Sequence, residues 1–165
     1  MFLRKTVVVF LFALLFLVGG QLEVSAAHWS GNGAVDGKEI RWGTARGSTS
    51  YTTIRNYSIS TWDKLGKINI AGDTSSTVED LSFRDIYVVS SLLGRYTPFS
   101  GADVIEYNTY NFKNMTTGQQ KKTALHEMGH ALGFEHHSSG IMKQGLFSMT
   151  YLDDHIIDDY NSHYK

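Results

Sequence analysis

The residues able to do chemistry are concentrated in one run, His126-Glu127-Met128-Gly129-His130-Ala131-Leu132-Gly133-Phe134-Glu135-His136. On a helix, His126 and His130 stand at i and i+4, on one face with Cβ atoms about 5–6 Å apart. Two imidazoles so spaced can converge on one ion at Zn–N distances of about 2.0–2.1 Å. Glu127 lies beside them, near enough to hydrogen-bond a water on the metal and act as its base. A ligand from the next helical turn would crowd the first two, so the chain must bend back beneath the ion. Gly133 stands where such a bend begins, because glycine tolerates the left-handed conformation that ends helices. His136 follows three residues later and can swing in from below. His137 is the alternative, but the register from Gly133 favours His136. Three imidazoles with one open position make a catalytic zinc arrangement, one Zn2+ per chain.

This run resembles the metzincin signature HExxHxxGxxH, and every specified position matches. Ser138-Ser139-Gly140-Ile141-Met142 follows at once, and Met142 fits the methionine of that family's Met-turn. The resemblance implies a secreted zinc-dependent endopeptidase with Glu127 as catalytic base and His126, His130 and His136 as metal ligands. Its substrate would be a peptide or protein, cut by a metal-activated water without a covalent intermediate. Zinc can lower the pKa of a bound water from about 15.7 to about 7, and a positioned general base typically adds about 10²–10⁴-fold.

Within the metzincins the sequence is nearest to the matrixin-like bacterial members, with departures. It has no cysteine for a cysteine switch and no histidine in the upstream strands for a second, structural zinc. Lys143-Gln144-Gly145 follows Met142 where matrixins wall the S1′ pocket. Gln144 stands where astacins and serralysins have tyrosine. The peptidase class with a distant glutamate ligand is excluded, since the only glutamate after His130 is Glu135. The reading from another class is a secreted zinc-containing peptide-binding module without catalysis. Retention of Glu127 argues against it, because a binder needs the histidines but not the base.

Other polar residues read more plainly. His137 is expected on the rim, His28, His155 and His163 facing solvent, and Glu135 on the surface. Asp73, Glu79, Asp80 and Asp103 could bind Ca2+ but lack EF-hand spacing, so they read as solvated loop carboxylates.

The elements that must position the run follow from periodicity. Arg4 and Lys5, an apolar stretch to Gly20 and the small residues Val24-Ser25-Ala26-Ala27 read as a signal peptide over 1–27. A membrane anchor is the alternative, but the apolar part is short for a span of about 20 residues. Residues 28–165 then form one catalytic domain of 138 residues, extracellular and monomeric. It carries 13 basic and 15 acidic side chains, a balance that gives no reason to expect nucleic acid or an anionic membrane as partner. Alternation around Ile40 and Trp42 predicts a first strand over 38–45. Helical spacing through Ile54, Tyr57 and Trp62 predicts a helix over 50–65, packing Trp62 on a sheet. Strands are expected over 67–71, 81–89 and 104–112. Residues 93–98 hold the only proline, Pro98, and suit an edge strand, the cleft rim on the family analogy. The metal-bearing helix should start at a capping box, Thr116 with Gln119 or Thr117 with Gln120. A last helix is expected over 153–164. The fold class is α+β and metzincin-like: a mixed twisted sheet with a backing helix, a zinc-bearing helix, and a small C-terminal subdomain with the Met-turn and final helix.

Overall fold

The computed structural model describes residues 30–31 and 33–165. The expected leader and His28 lie outside the described residues. Five strands and four helices follow in the order β1 (Glu39–Gly43), α1 (Thr52–Asp63), β2 (Asn69–Gly72), β3 (Leu81–Ile86), β4 (Gly94–Thr97), β5 (Asp103–Asn108), α2 (Thr109–Phe112), α3 (Thr117–Ala131) and α4 (Asp154–His163). Among these residues no helix is long and apolar enough to cross a membrane.

The sheet order is β2-β1-β3-β5-β4, parallel throughout except that β4 runs antiparallel to β5. Strand β5 is buried along its whole length, which places it inside the sheet and leaves β4 at the edge. Its Glu106 is 1 % exposed, and a carboxylate so buried needs partners. The register sets Arg84 of β3 and Arg95 of β4 on either side of it, with their Nε atoms 2.9 and 2.7 Å from its carboxylate. That ion-pair set ties the edge strand to the sheet interior.

Three expectations are corrected. The strand expected over 104–112 stops at Asn108, whose side chain accepts from the Tyr110 amide and caps α2. The same side chain donates to the carbonyls of Val88 and Leu92 at 2.8 Å, which also ends the strand expected to reach Val89. Trp62 does not lie mainly on the sheet. Its ring stacks on Phe134 at 5.8 Å, and its Nε1 donates to the Leu125 carbonyl of α3 at 3.0 Å. Helix α1 therefore backs the helix that carries the histidines. The capping box that forms is Thr116 with Gln119.

Candidate active site

Helix α3 presents His126, Glu127 and His130 to a cleft, and its end is built so that the chain turns sharply. Gly133 has φ +86°, the left-handed value expected of it. The Phe134 amide donates to the Gly129 carbonyl at 3.0 Å and the Gly133 amide to the His130 carbonyl at 2.8 Å. This is the Schellman pattern of helix termination. Two more carbonyls near the helix end are met by the start of the described chain: Ala34 donates to Ala131 at 2.6 Å, and Ser30 to Gly133 at 2.8 Å. The turn then returns His136 to the other two imidazoles. The ligand atoms of His126, His130 and His136 all lie within 4.8 Å of one another, and Nε2 of His130 is 3.1 Å from Nε2 of His136.

The surroundings fix the ring tautomers. Nδ1 of His126 faces the Ile141 carbonyl at 2.9 Å and Nδ1 of His130 the Phe134 carbonyl at 2.7 Å. Each Nδ1 is therefore the protonated nitrogen, and each Nε2 is left with a lone pair for an ion. Burial lowers the pKa of all three rings, that of His126 to about 3, with Lys122 adding repulsion in each case. Neutral imidazoles are what a divalent ion requires. The donor set thus fits a zinc-type metal.

Glu127 is buried beside the triplet. Desolvation pushes its carboxyl up to about 7, opposed by Lys122 and by a hydrogen bond from the Tyr96 amide. The strand register explains that amide. Leu93 accepts from the Asn108 amide, so Leu93 and Arg95 face β5, while Gly94 and Tyr96 turn their backbone groups outward. Gly94 itself lets the edge strand come close. A Cβ there would sit 3.0 Å from Thr123 Cγ2 and 3.1 Å from Glu127 Cγ.

Several contributors were not singled out by sequence reasoning. Gly129 faces Met142, and a Cβ on it would lie 3.0 Å from Met142 Cε, closer still to the sulfur, and 3.3 Å from Trp62. The available signal was a glycine inside a helix, where it costs about 1 kcal/mol relative to alanine and so calls for a reason. Asp153 both caps α4, accepting from Ile156, and accepts from the Ile141 amide at 2.8 Å, fixing the turn that carries Met142. Lys122, one turn before His126, is 3 % exposed and lines the cleft of about 350 Å³ with Gln144 and Gly145. Burial lowers its pKa to about 8. Its Nζ donates to the Lys143 carbonyl at 2.5 Å and lies 4.6 Å from the Phe147 ring centroid.

The remaining expectations divide. Glu135 and His163 are exposed, as expected. His137 is not a rim residue: it is buried beneath the turn, near Asp159 of α4. His155, though 48 % exposed in its side chain, also approaches Asp159 and is not simply solvent-facing. Of the supposed loop carboxylates, Asp73 is exposed, but Asp103 is buried on β5, accepting from the Phe99 amide at 2.7 Å and from the Tyr96 hydroxyl. Asp80 accepts from the Arg41 amide at 2.7 Å and Glu79 from the Ala45 amide. Those three are structural acceptors.

No protein-family model matches the chain, and no curated protein is similar enough in sequence to match. The fold is similar to that of a metzincin-type structure. One similar solved structure is that of myroilysin, a metzincin-type metalloprotease, with a TM-score of 0.54 and 12% identity over 82% of this chain and 97% of that chain. At that identity the likeness is one of fold.

Proposed function

We propose that the chain is a secreted, matrixin-like zinc endopeptidase, with residues 28–165 as its catalytic domain. His126, His130 and His136 would hold the zinc and Glu127 would act as base. The Met-turn and α4 would form a small C-terminal subdomain behind the three histidines. The observation that carries the reading is the convergence of three neutral imidazoles beside a buried carboxylate, on a cleft bordered by an edge strand. When bound, the zinc supplies a Lewis acid and an acidified water. Glu127 would accept a proton from the attacking water and return it to the leaving amine. The outward backbone groups of Gly94 on β4 can pair with an extended peptide and hold its scissile bond across the triplet. Gln144 and Gly145 close the cleft on the side of the Met-turn.

Glu127→Gln tests this reading. Glutamine keeps the shape but cannot accept a proton at neutral pH, so zinc and melting temperature should be retained. Hydrolysis of a peptide library, read by mass spectrometry, should fall by about 10²–10⁴-fold. A wild type that cuts nothing while both forms bind the same extended peptide would make the protein a zinc-containing binding module. Equal cutting by both forms would place the base elsewhere.

A further inference from the structure

The geometry points to a second metal site, formed by His137, His155 and Asp159, for a divalent first-row cation of the zinc type. It lies behind the turn that carries His136 and does not depend on whether the chain cleaves peptides. The ligand atoms of the three side chains lie within 4.8 Å of one another, the same limit that holds for the catalytic triplet. Oδ2 of Asp159 is 3.7 Å from Nε2 of His137 and 3.5 Å from Nε2 of His155. Tetrahedral ligands about 2.0–2.1 Å from an ion stand about 3.3 Å apart, whereas a charge-assisted hydrogen bond is about 2.7–2.9 Å. The separations here are nearer the first figure. The His137 and His155 ring centroids are 4.9 Å apart, against 4.7 to 5.1 Å within the catalytic triplet.

The construction also repeats. His155 and Asp159 are an i,i+4 pair on α4, as His126 and His130 are on α3. Each pair is met by one residue of the stretch after Gly133, and neighbouring side chains of an extended chain point to opposite sides. His136 turns to α3 and His137 to α4. The His137 backbone is held by donation to the Met142 carbonyl at 3.1 Å. Two imidazoles and a carboxylate suit zinc and its neighbours better than calcium or magnesium, which prefer all-oxygen shells. The half-exposed His155 gives an ion a way in and solvent for its remaining positions. An ion here would fasten α4 to the strap that carries the third catalytic ligand.

The test is zinc content of the mature protein after zinc loading and dialysis, with melting temperature measured in parallel. Wild type should hold about two equivalents, where the signature run alone accounts for one. His155→Ala and Asp159→Asn should each hold about one and lose part of the zinc-dependent rise in melting temperature, while still cutting peptide. His136→Ala should keep about one equivalent with cutting lost. Wild type saturating at a single equivalent that His136→Ala abolishes would overturn the proposal. So would two equivalents that both α4 variants retain, since the second ion would then lie elsewhere. A failed endopeptidase reading shows up differently, as absent cleavage with metal counts unaffected.

Discussion

His126 and His130 on α3, and His155 and Asp159 on α4, are both i,i+4 pairs, and each is approached by one residue of His136-His137. In the first group all three ligands fall within eleven consecutive residues, so a helix and one glycine turn suffice to assemble it. In the second, His137 stands eighteen positions before its nearest partner, His155. Its assembly depends on where α4 is docked. The Tyr160 hydroxyl accepts from the Ile68 amide at 2.8 Å, Tyr164 donates to the Leu132 carbonyl at 2.6 Å, and Asp153 holds the Met142 turn. Local geometry announces a site in the sequence, and docking conceals one.

Substitutions can separate the two groups or strike both. The largest effect is expected from His130→Ala, which should abolish peptide hydrolysis. His155→Ala should leave the turnover number near that of wild type, and comparable losses in both would mean the groups act as one. Gly133→Val strikes both, since the strap leaves from a left-handed residue where a β-branched side chain is strained by about 1–3 kcal/mol. It should lower zinc content and melting temperature together. Unchanged values would show that the turn is not what sets His136.

Gly129→Val should act first on the group carried by α3, by pushing Met142 and Trp62 away from that helix. Overpacking of this kind typically costs about 1–3 kcal/mol, readable by denaturant unfolding, and a variant as stable as wild type would discount the close approach. A smaller and more specific change is expected from Lys122→Met. The buried ammonium should favour an acidic side chain in the adjoining part of the cleft. Library cleavage should lose that preference while zinc content stays the same, and an identical cleavage pattern would remove Lys122 from substrate selection. The mildest is Met142→Leu, which conserves volume and should cost less than about 1.5 kcal/mol with zinc retained. Complete loss of zinc there would assign the methionine a different role.

The order and type of elements were legible where periodicity was long: α1, α3, α4, the edge position of β4 and a capped start of α3 at Thr116 or Thr117, of which the structure forms the first. Residues 109–112 were misread because aromatic content suggests a strand, whereas the Asn108 side chain, bonded across to Val88 and Leu92, stops one. Trp62 was assigned to the core correctly but to the wrong neighbour, since a helical stripe says that a face is buried and not against what. The sequence by itself determined the convergence of His126, His130 and His136 and the left-handed Gly133, because helical pitch and glycine's conformational freedom act over a few bonds. Only the tertiary structure decided that Gly129 makes room for Met142 and Trp62, that Lys122 lines the cleft, and that His137 faces inward to α4. Those facts rest on contacts between segments far apart in the chain, whose distances no spacing along it encodes.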